Sequence, residues 1–503
     1  MKRYVLVIDE GTTGVRAILF DSGFEIVSQH YEKLNVHYEK GGIVEESAAE
    51  IFDKAVFCGR NAIKEAGIAP DEIDCLGVTV QRVTWVFWDK ETGEPVCDAV
   101  VWQDTRARDM VPVVREDPDF RRICPYFVNE LRATSICVSI PLYLKNHPDV
   151  KAQLDAGKLL FGTMETWLVW KLTKGKVFAT DLSNASTLGA MDEKAQKWDM
   201  NMLGNYAGLP ESIFAEPKAC ADDYGMTDAE FFGVEIPITG VVADQQSALF
   251  SQGCHEISTG KCTNGTGSFL TVNIGQSYPE RPEGGHQGIV PRVAWKIGDT
   301  TDYMVEALCP TTGAVLEWAK DKLKLFDDIK EVDALASSVD DTDGVYFVPA
   351  LTGLYSPYTD PTARASYIGI SGSTRREHFI RATIESVAFA VCGAFEALQR
   401  KFALDLKEVM ISGGVSKSDI VAQNMANLLN MNVVRPKSVE ATALGAAQLA
   451  AIYRGWLTKD DVRAMVQKHK AFVPNDQQQK YMDNYKIWLK AVDRSSHWLD
   501  NVL

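Results

Sequence analysis

Apolar and polar positions alternate over residues 15–21, behind a short apolar run over residues 4–9, and glycines 11 and 14 break the two apart. That pattern predicts a β-hairpin with a Gly/Thr tip. A second hairpin is predicted over residues 262–275, where Asn264, Gly265, Thr266 and Gly267 separate two strand-like segments. Two such tips, half a chain apart, suggest two related halves that each present one hairpin to a shared cleft. Between them, residues 47–66 have helical spacing with Ser47 as N-cap, and residues 71–81, 83–89, 99–102 and 237–243 read as strands. Further on come an amphipathic helix over 375–402, a strand over 409–412, a helix from Ser418 and a small-residue helix over Ala441–Tyr453. Residues 276–288 are polar and rich in Gly and Pro, a surface loop, and the tail 475–503 reads as a terminal helix. Strands interleaved with helices predict an α/β fold. The boundary between halves is expected between Asp244 and Cys254, giving domains 1–247 and 248–503.

Composition narrows the function. With 503 residues, 46% hydrophobic, the chain can bury a large core, and a net charge of −16 provides no field to gather nucleic acid or an anionic membrane. Phosphate, if bound, must be held locally. No apolar run reaches the roughly 18 residues of a membrane span, and the N-terminus carries no export signal. Ten cysteines lie scattered without a CxxC, as in a reduced, cytoplasmic protein.

The chemistry collects at turns. Gly260-Lys261 lacks the glycine spacing of a Walker loop, and Gly265-Thr266-Gly267 runs on into Ser268-Phe269 without a Rossmann third glycine. What remains is phosphate binding by hairpin tips, through backbone N–H groups, the hydroxyls of Thr12, Thr13 and Thr266, and the charge of Arg16. Asp9 beside the first tip would repel phosphate unless Mg2+ bridges the two; otherwise it is a turn residue. Asp244 ends a strand, where it can accept a proton from a substrate hydroxyl or cap the next helix. Gly413-Gly414 between strand and helix suits a nucleotide face or a tight turn.

Asp9-Glu10-Gly11-Thr12-Thr13 with Arg16, Gln81-Arg82, Val101-Trp102-Gln103-Asp104, Asp244-Gln245-Gln246, Asn264-Gly265-Thr266-Gly267 and Gly413-Gly414, in this order, resemble the FGGY carbohydrate kinases, with the glycerol kinase branch nearest. Residues 365–385 fit one signature of that family. The resemblance implies two actin-like (ribonuclease-H-like) domains flanking a deep catalytic cleft, with MgATP on one side and a sugar or polyol on the other. It implies Asp244 as general base, Asp9 as the magnesium-linked acid, and Thr12, Thr13, Arg16, Gly265 and Thr266 against the phosphates. Gly313 and Glu317 match positions at the nucleotide ribose and base, and Gly413, Gly414 and Ser418 match the adenine pocket. Gln81, Arg82, Trp102 and Gln245 match the carbohydrate wall, with Asp244 beside it.

The chain departs from glycerol kinases at several points. Val83 stands where they carry an acid that binds a substrate hydroxyl, and Ser135 where they carry a tyrosine. Ile140 and Tyr143 replace the Lys and Trp of a second signature, Glu317 and Ser418 replace amides, and Glu230 replaces a histidine phosphorylated in some relatives. The expected activity is ATP-dependent phosphorylation of a primary hydroxyl on a small polyol or sugar. An actin-like or chaperone-like nucleotide switch and a non-catalytic sugar-binding regulator are the rival readings, and the sequence leaves a homo-oligomer open.

Overall fold

In β1 (Tyr4–Gly11) the six central residues are all buried, as befits a strand covered on both faces. It pairs antiparallel with β2 (Gly14–Phe20), which pairs antiparallel with β3 (Ile26–Lys33). On its other side β1 runs parallel to β4 (Ile73–Val80), and β4 parallel to β5 (Ile238–Ala243). The order is β5-β4-β1-β2-β3. This computed structural model describes residues 3–282, 286, 288–437 and 440–500.

The second half repeats the plan with β6 (Gly260–Asn264), β7 (Ser268–Gly275), β8 (Val290–Ile297), β9 (Thr300–Cys309), β10 (Glu408–Ser412), β11 (Asn432–Pro436) and β12 (Lys468–Phe472). Its core order β11-β10-β6-β7-β9 has the same two parallel and two antiparallel pairings, while β8 and β12 extend the edges. The two halves therefore share one topology as well as one hairpin motif.

Helices cover the sheets. In α1 (Ala48–Ala66), Ser47 Oγ accepts from the Glu50 N–H at 3.3 Å and Gly67 closes the far end at φ 68°. The others that matter here are α2 (Asp244–Ser251), α3 (Gly313–Asp321), α4 (Arg376–Phe402), α5 (Asp419–Leu429) and α6 (Ala441–Tyr453). By length and composition α4 could cross a membrane, but 83% of its apolar stretch is buried, so it is the core helix of the second half.

Following β5 and β11 respectively, α2 and α6 hold equivalent places in the two halves and pack against each other. α6 also lies on β5, β4 and β1. Small residues permit this approach: a Cβ on Gly445 would sit 2.1 Å from the Ser247 carbonyl oxygen, and one on Gly240 2.5 Å from the Ala450 nitrogen. Gly445→Val is expected to cost about 1–3 kcal/mol or more by forcing the helices apart, read as a fall of several degrees in Tm. An unchanged Tm would contradict this packing.

A further sheet, from Val36–Glu39, Ile43–Glu46, Ala99–Val100, Trp85–Asp89 and Leu159–Thr163, joins the first half through a core that includes Trp85, Phe87, Phe120, Ile140 and Phe161. Here the structure departs from the sequence reading. The strand expected from residue 83 starts at Trp85 because Val83 sits at φ 72°, a conformation that costs a β-branched residue about 1–3 kcal/mol. The strand expected over 99–102 is only Ala99–Val100. The tail forms a helix over Gln478–Ser495. Part of the loop expected over 276–288, namely 283–285 and 287, and the tail residues 501–503 lie outside the described residues.

Candidate active site

The first hairpin carries Asp9 opposite Arg16, and Arg16 Nε donates to Asp9 Oδ2 at 2.8 Å. Arg16 also pairs with Glu440, at the entry to α6, and so ties the first tip to the second half. Burial raises the Asp9 pKa above the ordinary carboxylate value, with Arg16 pulling the other way. At the tip, Thr13 is exposed, while Thr12 Oγ1 accepts from Trp102 Nε1 at 2.8 Å. That bond places the first tip directly against the Trp102 indole.

The second hairpin is held from two directions. The Gly313 N–H donates to the Gly265 carbonyl at 3.0 Å and the Ala314 N–H to the Thr266 carbonyl at 2.9 Å, which docks the start of α3 on the tip and leaves Thr266 exposed. A Cβ on Gly313 would lie 2.2 Å from the Gly265 oxygen. Gly413, at φ 87°, lies against the same hairpin, and a Cβ there would meet the Asn264 oxygen at 2.4 Å, whereas Gly414 faces open space. Tip, helix start and Gly-Gly turn thus converge. The other two expected residues already have partners within the protein: Ser418 caps α5 and donates to Asp333 Oδ1 at 2.6 Å, and exposed Glu317 pairs with Lys320 at 2.5 Å.

Between the tips lies a charged cluster. Arg82 approaches Asp244 Oδ1 at 3.3 Å and Glu306 Oε2 at 2.7 Å, with its guanidinium 5.7 Å from the Phe269 ring centre. Burial opposes the charge on Glu306, but Arg82, then Arg292 and Arg132, outweigh it and hold its pKa below the usual range. Asp244 is the first residue of α2 and caps nothing with its side chain; it accepts from the Gln245 N–H at 2.7 Å and from Gln245 Nε2 at 3.1 Å. Trp102 and Phe269 meet edge to face at 6.2 Å. Gln81 is buried, its amide donating to Glu10 at 2.7 Å and to Glu46 at 2.9 Å. Burial raises the pKa of both acids, so together they favour holding a proton.

Lys261, Glu306 and Phe269 belong to this cluster and were not among the sequence candidates. Phe269 had a signal, since alternation after the second tip aims it opposite buried Ser268 and Leu270. Glu306 sits in a strand with no motif around it, and Lys261 lies just before the second tip without being part of it.

Asp9 Oδ1 accepts no hydrogen bond among the described residues, while Oδ2 is held by Arg16. A buried carboxylate with one open oxygen beside a glycine-lined tip suits a divalent cation. The N-terminal domain of the FGGY family of carbohydrate kinases matches residues 4–251, and the C-terminal domain of the same family matches residues 260–453. The chain belongs to the FGGY family of carbohydrate kinases. A glycerol kinase of Thermoanaerobacter sp. (strain X514) is 36% identical over 501 residues, covering 99% of this chain and 100% of the relative. Glycerol kinase 1 of Clostridium tetani is 38% identical over 499 residues, covering 99% of each chain. The structure of Plasmodium falciparum glycerol kinase with ADP superposes with a TM-score of 0.89 at 29% identity, over 98% of each chain. This FGGY kinase has the two-domain, actin-like α/β fold that the resemblance implied. It is an ATP-dependent carbohydrate or polyol kinase that uses Mg2+, and neither the nucleotide switch nor the non-catalytic regulator is favoured.

Proposed function

We propose that Asp244 is the general base for attack by a primary hydroxyl of a small polyol or sugar on the γ-phosphorus of ATP. The observation that supports this most is Arg82 spanning Asp244 and Glu306 at the junction of the two hairpin tips. The hydroxyl oxygen forms the new P–O bond, its proton passes to Asp244, and the bond to the β-phosphate oxygen breaks as ADP leaves. Asp9 would hold Mg2+, which neutralises phosphate charge when bound. Thr12, Thr13 and Thr266 would donate to the phosphates, with Arg16 adding positive charge there while it orients Asp9, and Gly265, whose N–H is held by the Gly267 carbonyl at 2.9 Å, would admit them by having no side chain. Gly313 and Glu317 would flank ribose and base, with Gly413, Gly414 and Ser418 at adenine, the last through its helix cap. Arg82, Trp102 and Gln245 would face the acceptor, and Gln81 would brace that wall from behind. The two domains would divide at residues 247 and 248.

The acceptor itself is proposed to be longer than glycerol. Val83 cannot accept a hydrogen bond, so a glycerol hydroxyl placed there loses a partner, about 1–3 kcal/mol or roughly 5- to 150-fold in kcat/KM. Ser135 spends its hydroxyl on the Arg132 N–H at 3.0 Å and fills less space than an aromatic ring. A fourth or fifth carbon could use that space. Glycerol, erythritol, xylitol, ribitol, xylulose and ribulose assayed side by side test this: glycerol clearly best would overturn it and align the specificity with that of the glycerol kinases. Val83→Glu is expected to raise relative glycerol activity, measured as the ratio of kcat/KM values. No change in that ratio would move the discriminating contact away from residue 83.

A further inference from the structure

Lys261 is among the largest fully buried side chains of the protein. It rises from β6 in the second half, and its Nζ donates to Gln245 Oε1 at 2.6 Å, on α2 of the first half, and to Thr263 Oγ1 at 2.7 Å. Thr263 in turn lies 3.2 Å from Ser412. Both acceptors of the ammonium are neutral, and no carboxylate lies within ion-pair distance among the described residues. A buried cation with such partners is costly unless a nearby charge offsets it. The candidate is Asp244, joined to Lys261 through Gln245, whose Nε2 donates to Asp244 Oδ2 at 3.1 Å.

We propose that Lys261 is a positioning residue for the phosphoryl transfer, reaching from the second half to orient Gln245 and, through it, to hold Asp244 in line with the acceptor hydroxyl. This rests on Asp244 as the base. The charged and titratable groups around Lys261 are Asp244 and Glu306, which favour its charge, Arg82, which opposes it, and Cys262 and Cys254, which are held protonated by burial. Burial lowers the Lys261 pKa to about 8. Its charge is therefore present at neutral pH and lost as the pH rises past that value.

The test is the pH profile of kcat/KM for the acceptor in the wild type, Lys261→Met and Lys261→Arg, with Tm measured for each. The wild type is expected to lose activity above about pH 8. In Lys261→Met no ammonium remains to titrate, so the alkaline limb is expected to disappear and kcat to fall as Gln245 loses its anchor. In Lys261→Arg, which stays charged, the alkaline limb moves higher. A folded Lys261→Met with the alkaline limb unmoved overturns the proposal, as does a wild type with no alkaline fall, even if the variants prove too unstable to assay. Turnover retained by Asp244→Asn would instead overturn the assignment of the base, which separates the two failures.

Discussion

Replacing Asp244 by asparagine is expected to lower kcat by roughly 100-fold or more while leaving the affinity for ATP nearly unchanged, since proton acceptance contributes about 10² to 10⁴. The substitution keeps the shape of the residue and the Arg82 approach, but removes the lone pair that takes the hydroxyl proton. Because Glu306 still faces Arg82 at 2.7 Å, the guanidinium keeps one carboxylate partner and the site should hold together. The measurement is single-turnover and steady-state kinetics with one acceptor, alongside nucleotide binding. Near-normal turnover would remove Asp244 from the mechanism.

Asp9→Ala is the second large effect expected. Because the proposal puts Asp9 with Mg2+ at the phosphates and not among the groups that bind the acceptor, kcat/KM for ATP should fall by roughly 100-fold with every acceptor alike. Its loss leaves Arg16 with Glu440 as its remaining carboxylate partner among the described residues. Thr266→Val should act in the same direction and more weakly, because one hydroxyl donor is lost while the backbone of the tip stays docked on α3. Kinetics with two acceptors, repeated over a range of Mg2+ concentration, check both variants. A defect confined to one acceptor would contradict the placement of Asp9 and Thr266.

The parts of the molecule that were legible in the sequence are those where local chemistry dictates local geometry. Each hairpin was readable because Gly and Thr interrupt alternating apolar positions, and the helix start at residue 48 because Ser47 can cap it. Even the relation between the halves was legible from the repeated tips, and the common strand order bears it out. The contacts that complete the charged cluster were not. Lys261 and Glu306 lie on separate strands of one sheet and meet the first half only through folding. Nothing near Lys261 in the sequence marks it as a cation to be buried. Val83 shows a different limit, because a β-branched residue is among the least expected at a positive φ, and only surrounding packing can hold it there. The family resemblance implied Gln81 at the carbohydrate wall, and its side chain turns inward to Glu10 and Glu46. Adjacent residues at the end of a strand face opposite ways, and the motif does not say which one meets the substrate.

Acceptor-dependent ADP release, with the product followed by phosphorus NMR, tests the central claim most directly. Purified enzyme with MgATP and a panel of small polyols and ketoses is expected to release one ADP per phosphomonoester formed on a primary carbon, with little ADP released when no acceptor is present. ADP release indifferent to every acceptor, or none at all from folded enzyme that binds MgATP, would contradict the account.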